Sequence, residues 1–284
     1  MVMLGYFTLL ERKVLGYGQY RKGPNKAILW GLLQPMLDGF KLFMKGFWGE
    51  YVSGLMNLWV FPSAGLFVIM FLWFVVSGYW GVLGMGLLLI YIILLSSVVG
   101  VMFFVSGYLT GGKYSMIGSL RSLAQAISFE GILAFSLISV MVVGCGSVSD
   151  LSVMGLGWGL VVMVFLVVSV VMESNRTPVD FVEGESELVS GLATEVGGLS
   201  FSLLFLMEYG LMSFYSFVLA LIFWGSGSQI LWVMVFMLLF MSVLCFLRLS
   251  LPRSRYDLNM TWGWKVSLVS VFLVYGVFYV GLVL

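Results

Sequence analysis

The sequence contains no histidine and only two cysteines, Cys145 and Cys245, both within apolar runs. The imidazole ligands that haem, copper and catalytic zinc commonly use are therefore missing, as is the histidine of a nucleophile–histidine pair. Two isolated cysteines in apolar surroundings also argue against a disulfide framework and against a cysteine metal cluster. We therefore expect this chain to carry no metal centre of its own.

Charged side chains are scarce. They make up 10% of the 284 residues, whereas a soluble domain contains about 25%. Hydrophobic residues make up 61% of the chain, and the mean hydropathy is +1.10. A chain with so few polar side chains cannot cover the surface of a soluble domain of this size, and we interpret it as an integral membrane protein.

Long apolar runs dominate what is present. A bilayer core about 30 Å thick is crossed by roughly 20 apolar residues in a helix. The runs predict an all-α, polytopic membrane protein with about eight transmembrane helices in one domain, residues 1–284. The predicted spans are a short one at 1–17, followed by 58–80, 84–106, 126–147, 156–173, 189–222, 229–250 and 265–284.

The basic residues are distributed on one side. With eight spans, all 14 lysines and arginines fall in or beside alternate connections, and the connections near 80–84, 147–156 and 223–229 contain none. This is the asymmetry that the positive-inside rule describes. It supports the span count and places both termini on the face opposite the basic loops.

The long basic connection contains "GLLQPMLDGFKLFMKG", residues 31–46, which predicts an amphipathic helix. Pro35 suits the first turn of a helix, and such a helix would lie in the membrane surface. Periodicity by itself favours a simple interfacial anchor. The apolar face would contain Leu33, Met36, Leu37, Phe40 and Met44, and the polar face Asp38, Lys41 and Lys45.

Five glutamates lie where lipid is expected, and none has a lysine or arginine one turn away within its own span. A charge at the centre of a membrane helix costs roughly 2.5 kcal/mol or more, so each carboxyl should be buried in protein or face water. Burial favours the protonated acid, which suits a proton relay. The alternative is that each carboxyl satisfies neighbouring groups in a packed bundle. They are Glu130 at the start of the fourth span, Glu173 at the end of the fifth, and Glu187, Glu195 and Glu208 along the sixth.

The segment "ESNRTPVDFVEGESE", residues 173–187, gathers further charge at a membrane mouth. Pro178 disfavours a helix at Thr177. Helical spacing beyond it would place Glu183 and Glu187 on one face and turn Glu185 away. A run of charges of this kind is either a solvated tether or a gate. Its position on the basic side, before a span that carries acids, favours the gate.

The motifs "ERKVLGYGQYRKGPN", "GLLQP", "LRSLAQAISFE", "ESNRTPVDFVEGESELVSG", "LLFLMEY" and "PRSRYD" follow one another along the chain. Over about residues 8–270 the sequence resembles the first-subunit family of respiratory NADH:ubiquinone oxidoreductase (complex I), in its mitochondrially encoded form. The resemblance implies eight tilted helices at the junction of the membrane arm and the hydrophilic arm, in the mitochondrial inner membrane.

The resemblance also implies a subunit of a proton-translocating enzyme that has no redox centre in this chain. Ubiquinone would be the substrate, and partner subunits would hold FMN and the iron–sulfur clusters. The partners would be hydrophilic quinone-module subunits on the matrix side, neighbouring membrane-arm subunits and membrane lipid, with no nucleic acid.

Residue roles carried over from the resemblance form two groups. The chamber for ubiquinone and its entrance would include Glu11, Arg12, Arg21, Asp38, Lys41, Arg176, Asp180, Glu183, Glu185, Arg253 and Arg255. The path for protons into the membrane arm would include Glu130, Glu173, Glu187, Glu195 and Glu208.

The chain departs from the family pattern in a few places. Fewer residues precede "ERK" than the family has, so the first span is expected to be short, and Val196 stands where an aromatic residue is common. Two other functions are alternatives for a chain of this kind. A proton-coupled secondary transporter predicts two similar halves, which the sequence does not show. The related membrane subunit of a hydrogenase complex is disfavoured only by the agreement in "RKGPN" and "EGESELVSG".

Overall fold

The computed structural model describes residues 2–26, 29–45, 57–78, 85–143, 158–180, 196–224 and 230–283. These residues form helices and connections and contain no strand, which confirms the all-α class. The helices are α1 Val2–Gly18, α2 Gln34–Met44, α3 Asn57–Gly78, α4 Met85–Leu109, α5 Lys113–Val143, α6 Trp158–Glu173, α7 Gly198–Trp224, α8 Ile230–Ser250, α9 Tyr256–Trp262 and α10 Leu268–Val283. A single 3₁₀ turn, Leu29–Gly31, precedes α2, and a π-helical turn, Gly263–Ser267, joins α9 to α10.

Within the described residues, six helical segments are long and apolar enough to cross a membrane. They belong to α3, α4, α5, α7, α8 and the continuous helix from α9 to α10. The apolar helix Val161–Glu173 is shorter. These helices are apolar on every side because one side faces lipid and the other faces the protein interior. The prediction of a polytopic membrane protein is confirmed.

The predicted starts of two helices are wrong, because both helices begin earlier in the sequence and are longer. The helix expected over 126–147 begins at Lys113, so Lys113 and Arg121 lie on α5 and not in a connection, and Glu130 lies far inside the helix. The helix expected from 265 begins at Tyr256. Buried Ser119, Ser122 and Gln125 lower the hydropathy of the first half of α5. A hydropathy window does not distinguish polar groups that face protein from groups in a loop.

Within the described part of the predicted sixth span, the helix begins at Gly198. Val196 and Gly197 are not helical, and α7 begins at Gly198, whose φ is +60°. This left-handed conformation suits glycine and interrupts a right-handed helix. Glu208 lies within α7, whereas Glu195 lies outside the described residues.

Helix α7 lies at the centre of the bundle. In its membrane-spanning segment, 78% of the residues are buried, compared with 28% for α8 and 17% for the segment Tyr256–Val277. It packs against α1, α2, α3 and α8 and also contacts α4 and α6. Polar side chains on α7 are therefore surrounded by protein, which makes this helix the place where an acid in the membrane can be satisfied.

Helix α2 is formed as expected and packs against α1 and α7. None of its residues is buried, and Phe40 and Phe43 remain 65% and 62% exposed. An amphipathic helix with an uncovered apolar face is suited to the membrane interface.

Candidate functional site

Three helices meet at the carboxylate of Glu11, a residue of α1 that is only 6% exposed. The guanidinium of Arg248, in the last turn of α8, forms an ion pair with this carboxylate. The hydroxyl of Tyr209, on α7, donates a hydrogen bond to its other oxygen at 2.6 Å. The rings of Phe7 and Tyr209 pack nearly perpendicular to each other, with 5.4 Å between ring centroids. The carboxylate is thus held by one charge and one hydroxyl inside the bundle.

Arg176 lies on the other side of the same tyrosine. Its guanidinium carbon is 4.7 Å from the centre of the Tyr209 ring and 5.3 Å from that of Phe205. Its Nη2 atom is 2.8 Å from Oε2 of Glu208, and the two side chains are only 6% and 9% exposed. A buried guanidinium that has both a carboxylate and two aromatic faces is favourably placed.

The pair between Arg176 and Glu208 corrects one expectation. Glu208 has no basic residue near it in α7, but the loop after α6 folds inward and supplies one. The carboxyl that precedes Arg176 by one turn, Glu173, points instead to Tyr215. The loop geometry, which the sequence does not display, decides which acid receives the cation.

The loop that carries Arg176 is fastened at several points. The Val179 amide donates to the Arg176 carbonyl at 2.9 Å, and the Ser254 amide donates to the Pro178 carbonyl at 2.9 Å. Gln125, fully buried on α5, donates to the carbonyls of Met172 and Val179. The peptide bond that precedes Pro178 is cis. These contacts connect the loop to α5 and to the segment before α9.

Asp180 and Arg253 meet at the end of this loop. Their side chains are 3.3 Å apart, and Asp180 is 4% exposed. The predicted chamber residues Asp180 and Arg253 are thus brought together, although 73 positions separate them.

A second contact joins α1 to α2. Arg12 and Asp38 form an ion pair at 2.6 Å, and Gln34 donates to the other oxygen of Asp38 at 2.9 Å. Both charged side chains are partly exposed, so this pair contributes little to stability. Beside it lies an apolar cavity of about 250 Å³ lined by residues of α1 and α2, including Tyr6, Pro35 and Phe40.

The remaining acids of the membrane interior lie near each other. Glu173 Oε1 accepts a hydrogen bond of 2.6 Å from Tyr215 of α7. Glu130 of α5 is close enough to act electrostatically on Glu173. A larger cavity, about 820 Å³, lies between α6, α7, α8 and α9, but its lining is mostly aliphatic and aromatic and includes none of these acids.

Several predicted residues are not part of these contacts. Arg21 bonds to Gln19 at 2.9 Å, Lys41 is exposed on α2, and Arg255 pairs with Asp257 at 3.2 Å on the surface. The acids Glu183, Glu185, Glu187 and Glu195 lie outside the described residues.

Four residues of the site were not identified from the sequence: Tyr209, Tyr215, Gln125 and Arg248. Arg248 was counted only as a basic residue at the end of a span. A polar side chain inside an apolar helix, such as Gln125, is the signal that would have found them, because such groups must be hydrogen-bonded.

The arrangement forms a series of contacts from Arg248, which is partly exposed, through Glu11, Tyr209 and Arg176 to Glu208. In a medium of low dielectric, such charges affect one another strongly. A change of charge at one end therefore alters the energy of the ion pair at the other.

Comparison with known proteins identifies the family. Residues 1–279 match the family described as NADH dehydrogenase. The chain is 39% identical to NADH-ubiquinone oxidoreductase chain 1 of Heterololigo bleekeri, over 95% of this chain and 90% of that protein. It is 38% identical to the protein of the same name from Artemia franciscana, over 98% and 94%, and 34% identical to that of Didelphis virginiana, over 93% and 87%. The chain therefore belongs to the NADH dehydrogenase family, which confirms the resemblance inferred from its motifs.

Proposed function

We propose that this chain is a core membrane subunit of a proton-pumping NADH:ubiquinone oxidoreductase in the mitochondrial inner membrane. It forms the access chamber for ubiquinone at the junction with the hydrophilic arm. It couples quinone reduction to proton translocation through carboxyls inside the membrane. Partner subunits on the matrix side hold FMN and the iron–sulfur clusters, and further membrane-arm subunits and lipid surround the chain.

The observation that carries this proposal is the series of contacts ending at Arg176 and Glu208. Arg176 comes from a loop on the basic side, whereas Glu208 lies within a helix that spans the membrane. Charged groups at this depth are costly and mark functional sites by default. A connection between loop and membrane interior is what a coupling site requires.

A change of charge in the ubiquinone chamber would alter the protonation of Glu208 through Arg176. When negative charge develops on the loop side as the quinone is reduced, it attracts the Arg176 guanidinium and weakens its hold on Glu208. A carboxylate that loses its cation in a buried site favours uptake of a proton. Glu208 would take up a proton from one side and release it towards the other acids. The proton would then move along the path Glu208, Glu173 and Glu130.

The entrance is proposed to lie between α1 and α2. The cavity there is apolar and lies beside the exposed face of an interfacial helix, which suits an isoprenoid tail that approaches from lipid. The Arg12–Asp38 pair lies where α1 approaches α2 and gives the entrance a polar boundary.

The test replaces Glu208 by Gln in the assembled complex. Glu208→Gln keeps the size of the side chain and a hydrogen-bond acceptor for Arg176 but removes the charge and the titratable proton. We expect coupled NADH:ubiquinone activity and proton transport to fall by roughly tenfold or more, equivalent to about 1.4 kcal/mol in the barrier. Proton uptake into sealed vesicles and quinone reduction are measured on the same preparation.

Asp257→Asn is the matched control, because Asp257 is an exposed carboxyl that pairs with a surface arginine. It should leave both activities unchanged. NADH oxidation by a water-soluble acceptor reports whether the hydrophilic arm is assembled. Full quinone-linked proton transport in the Glu208→Gln complex would contradict the proposal.

A further inference from the structure

Tyr215 places a phenolic hydroxyl deep inside the bundle. It lies on α7, two turns beyond the ion pair of Glu208, and it is only 3% exposed. The neighbouring Phe214 is also fully buried, and its side chain has no polar group. A phenylalanine at 215 would fill the same space, and an unpaired hydroxyl in an apolar interior costs free energy. Packing alone therefore does not account for the hydroxyl.

The hydroxyl of Tyr215 donates to Oε1 of Glu173 at 2.6 Å. This bond joins the middle of α7 to the last residue of α6, which leads into the loop of Arg176. Oε2 of Glu173 is also buried and has no hydrogen-bond partner among the described residues. The phenol thus holds one oxygen of the acid in place, and no hydrogen bond from the described residues holds the other.

Two serines of α4 lie on the opposite side of this contact. Ser96 is 2% exposed and is close enough to interact with the hydroxyl of Tyr215. Ser97, the next residue, is close enough to interact with the carboxyl of Glu130 on α5. Tyr215 and Glu130 are therefore each approached by a hydroxyl from the same turn of α4.

The two serine hydroxyls have alternative partners. They donate to the carbonyls of Ile93 and Leu94, each at 2.8 Å, in their own helix. A hydroxyl carries one donor and two acceptor sites and rotates freely about its bond. A bond from either serine to Tyr215 or Glu130 therefore requires its hydroxyl to rotate away from its own helix. Glu173, Tyr215, Ser96, Ser97 and Glu130 bring polar groups of α4, α5, α6 and α7 into one region of the bundle.

We propose that Tyr215 is a positioning residue of the proton path, which holds the Glu173 carboxyl and connects it through Ser96 and Ser97 to Glu130. This inference rests on the proposed function, because it assumes that Glu173 and Glu130 exchange protons during turnover. A proton that passes along this link leaves the Tyr215 hydroxyl on one side as another arrives from the other side, so the phenol is neutral before and after the transfer. Tyr215 also keeps Glu173 in one orientation.

The test is Tyr215→Phe in the assembled complex. This change removes one oxygen atom and keeps the ring. We expect coupled proton transport to slow by about tenfold, because even a small shift of a reacting group slows a reaction. A shift of about 1 Å can slow it by roughly 100-fold. Tyr279→Phe removes the same atom from an exposed tyrosine on α10 and should have no effect.

A spectroscopic measurement separates positioning from a general loss of packing. Infrared difference spectra of the oxidised and reduced complex contain bands of carboxyl groups, and Glu173→Gln identifies the band of Glu173. We expect Tyr215→Phe to shift that band and Tyr279→Phe to leave it in place. If Tyr215→Phe fails to assemble, Ser96→Ala is used, and it should slow transport in the same direction.

The outcomes distinguish the two proposals. If Glu173→Gln abolishes pumping but Tyr215→Phe changes neither the rate nor the band, Tyr215 has no positioning role and the proposed function stands. If Glu173→Gln pumps normally, the path through Glu173 is wrong and the role of Tyr215 is lost with it. A normal rate and band in Ser96→Ala would exclude the link through α4.

Discussion

At the scale of single residues, the buried pair of Arg176 and Glu208 should be more sensitive to loss of one partner than to loss of both. Either Arg176→Met or Glu208→Gln leaves one buried group without its ionic partner, and breaking a buried pair typically costs about 3–5 kcal/mol. The double variant removes both charges and should recover part of that loss. The midpoint of thermal unfolding of the solubilised complex measures the effect.

The exposed pair of Arg12 and Asp38 provides the comparison. Their side chains are 54% and 34% exposed, so Arg12→Met and Asp38→Asn should each change stability by about 1 kcal/mol or less. The interpretation of Arg176 and Glu208 as a buried, mutually dependent pair fails if all four single variants behave alike, or if the double variant is as unstable as the sum of its two parts.

At the scale of elements, the π-helical turn before α10 depends on a glycine. A Cβ atom at Gly263 would lie 2.9 Å from Cε1 and 3.0 Å from Cζ of Phe129, a fully buried ring on α5 that has no room to move. Gly263→Ala should therefore push α10 away from α5 and lower the free energy of unfolding by about 1–3 kcal/mol. Thermal unfolding of the complex gives the shift.

Gly276→Ala, on α10, tests whether the effect comes from the clash. Apart from the backbone of α10 itself, no atom of the described residues lies within 4 Å of a Cβ at that position, and alanine is favoured over glycine in a helix by up to about 1 kcal/mol. This variant should be neutral or slightly stabilising. Equal losses in the two variants would show that the contact with Phe129 does not determine the packing of α10.

At the scale of the whole molecule, the one-sided distribution of basic residues predicts which face each connection occupies. Cys245 is buried, and both native cysteines are first replaced by serine. Lys22→Cys places a thiol beside α1 on the basic side, and Leu231→Cys places one at the other end of α8 from Arg248, where the side chain is 74% exposed. A charged maleimide that does not cross membranes should label each variant from one side only, and the two sides should differ.

Vesicles of both orientations are needed for this experiment. Labelling of Lys22→Cys is expected from the side that carries the hydrophilic arm, because the positive-inside rule assigns the basic loops to it. Labelling of both variants from the same side would contradict the predicted topology.

The sequence was sufficient for the class of fold and for the family. Apolar runs of membrane length specify helices because a backbone in lipid must satisfy its own hydrogen bonds. The amphipathic pattern of α2 was equally direct, since periodicity is local. The boundaries of α5 and α7 were not, because Gln125 and its neighbouring serines look like loop residues, and the interruption before Gly198 depends on one backbone angle.

The charged residues are likewise predictable from the sequence in part, and the tertiary structure decides the rest. From the sequence alone, Glu208 is recognisable as an unusual charge in an apolar chain, because the cost of burying a charge is a property of the residue and its local surroundings. Glu11 and Arg176 are assigned through the resemblance of their motifs. Their partners were decided by the tertiary structure. Arg248 reaches Glu11 across 237 positions and Tyr209 reaches it across 198. Such pairings depend on how the helices pack, and no spacing along the chain encodes them.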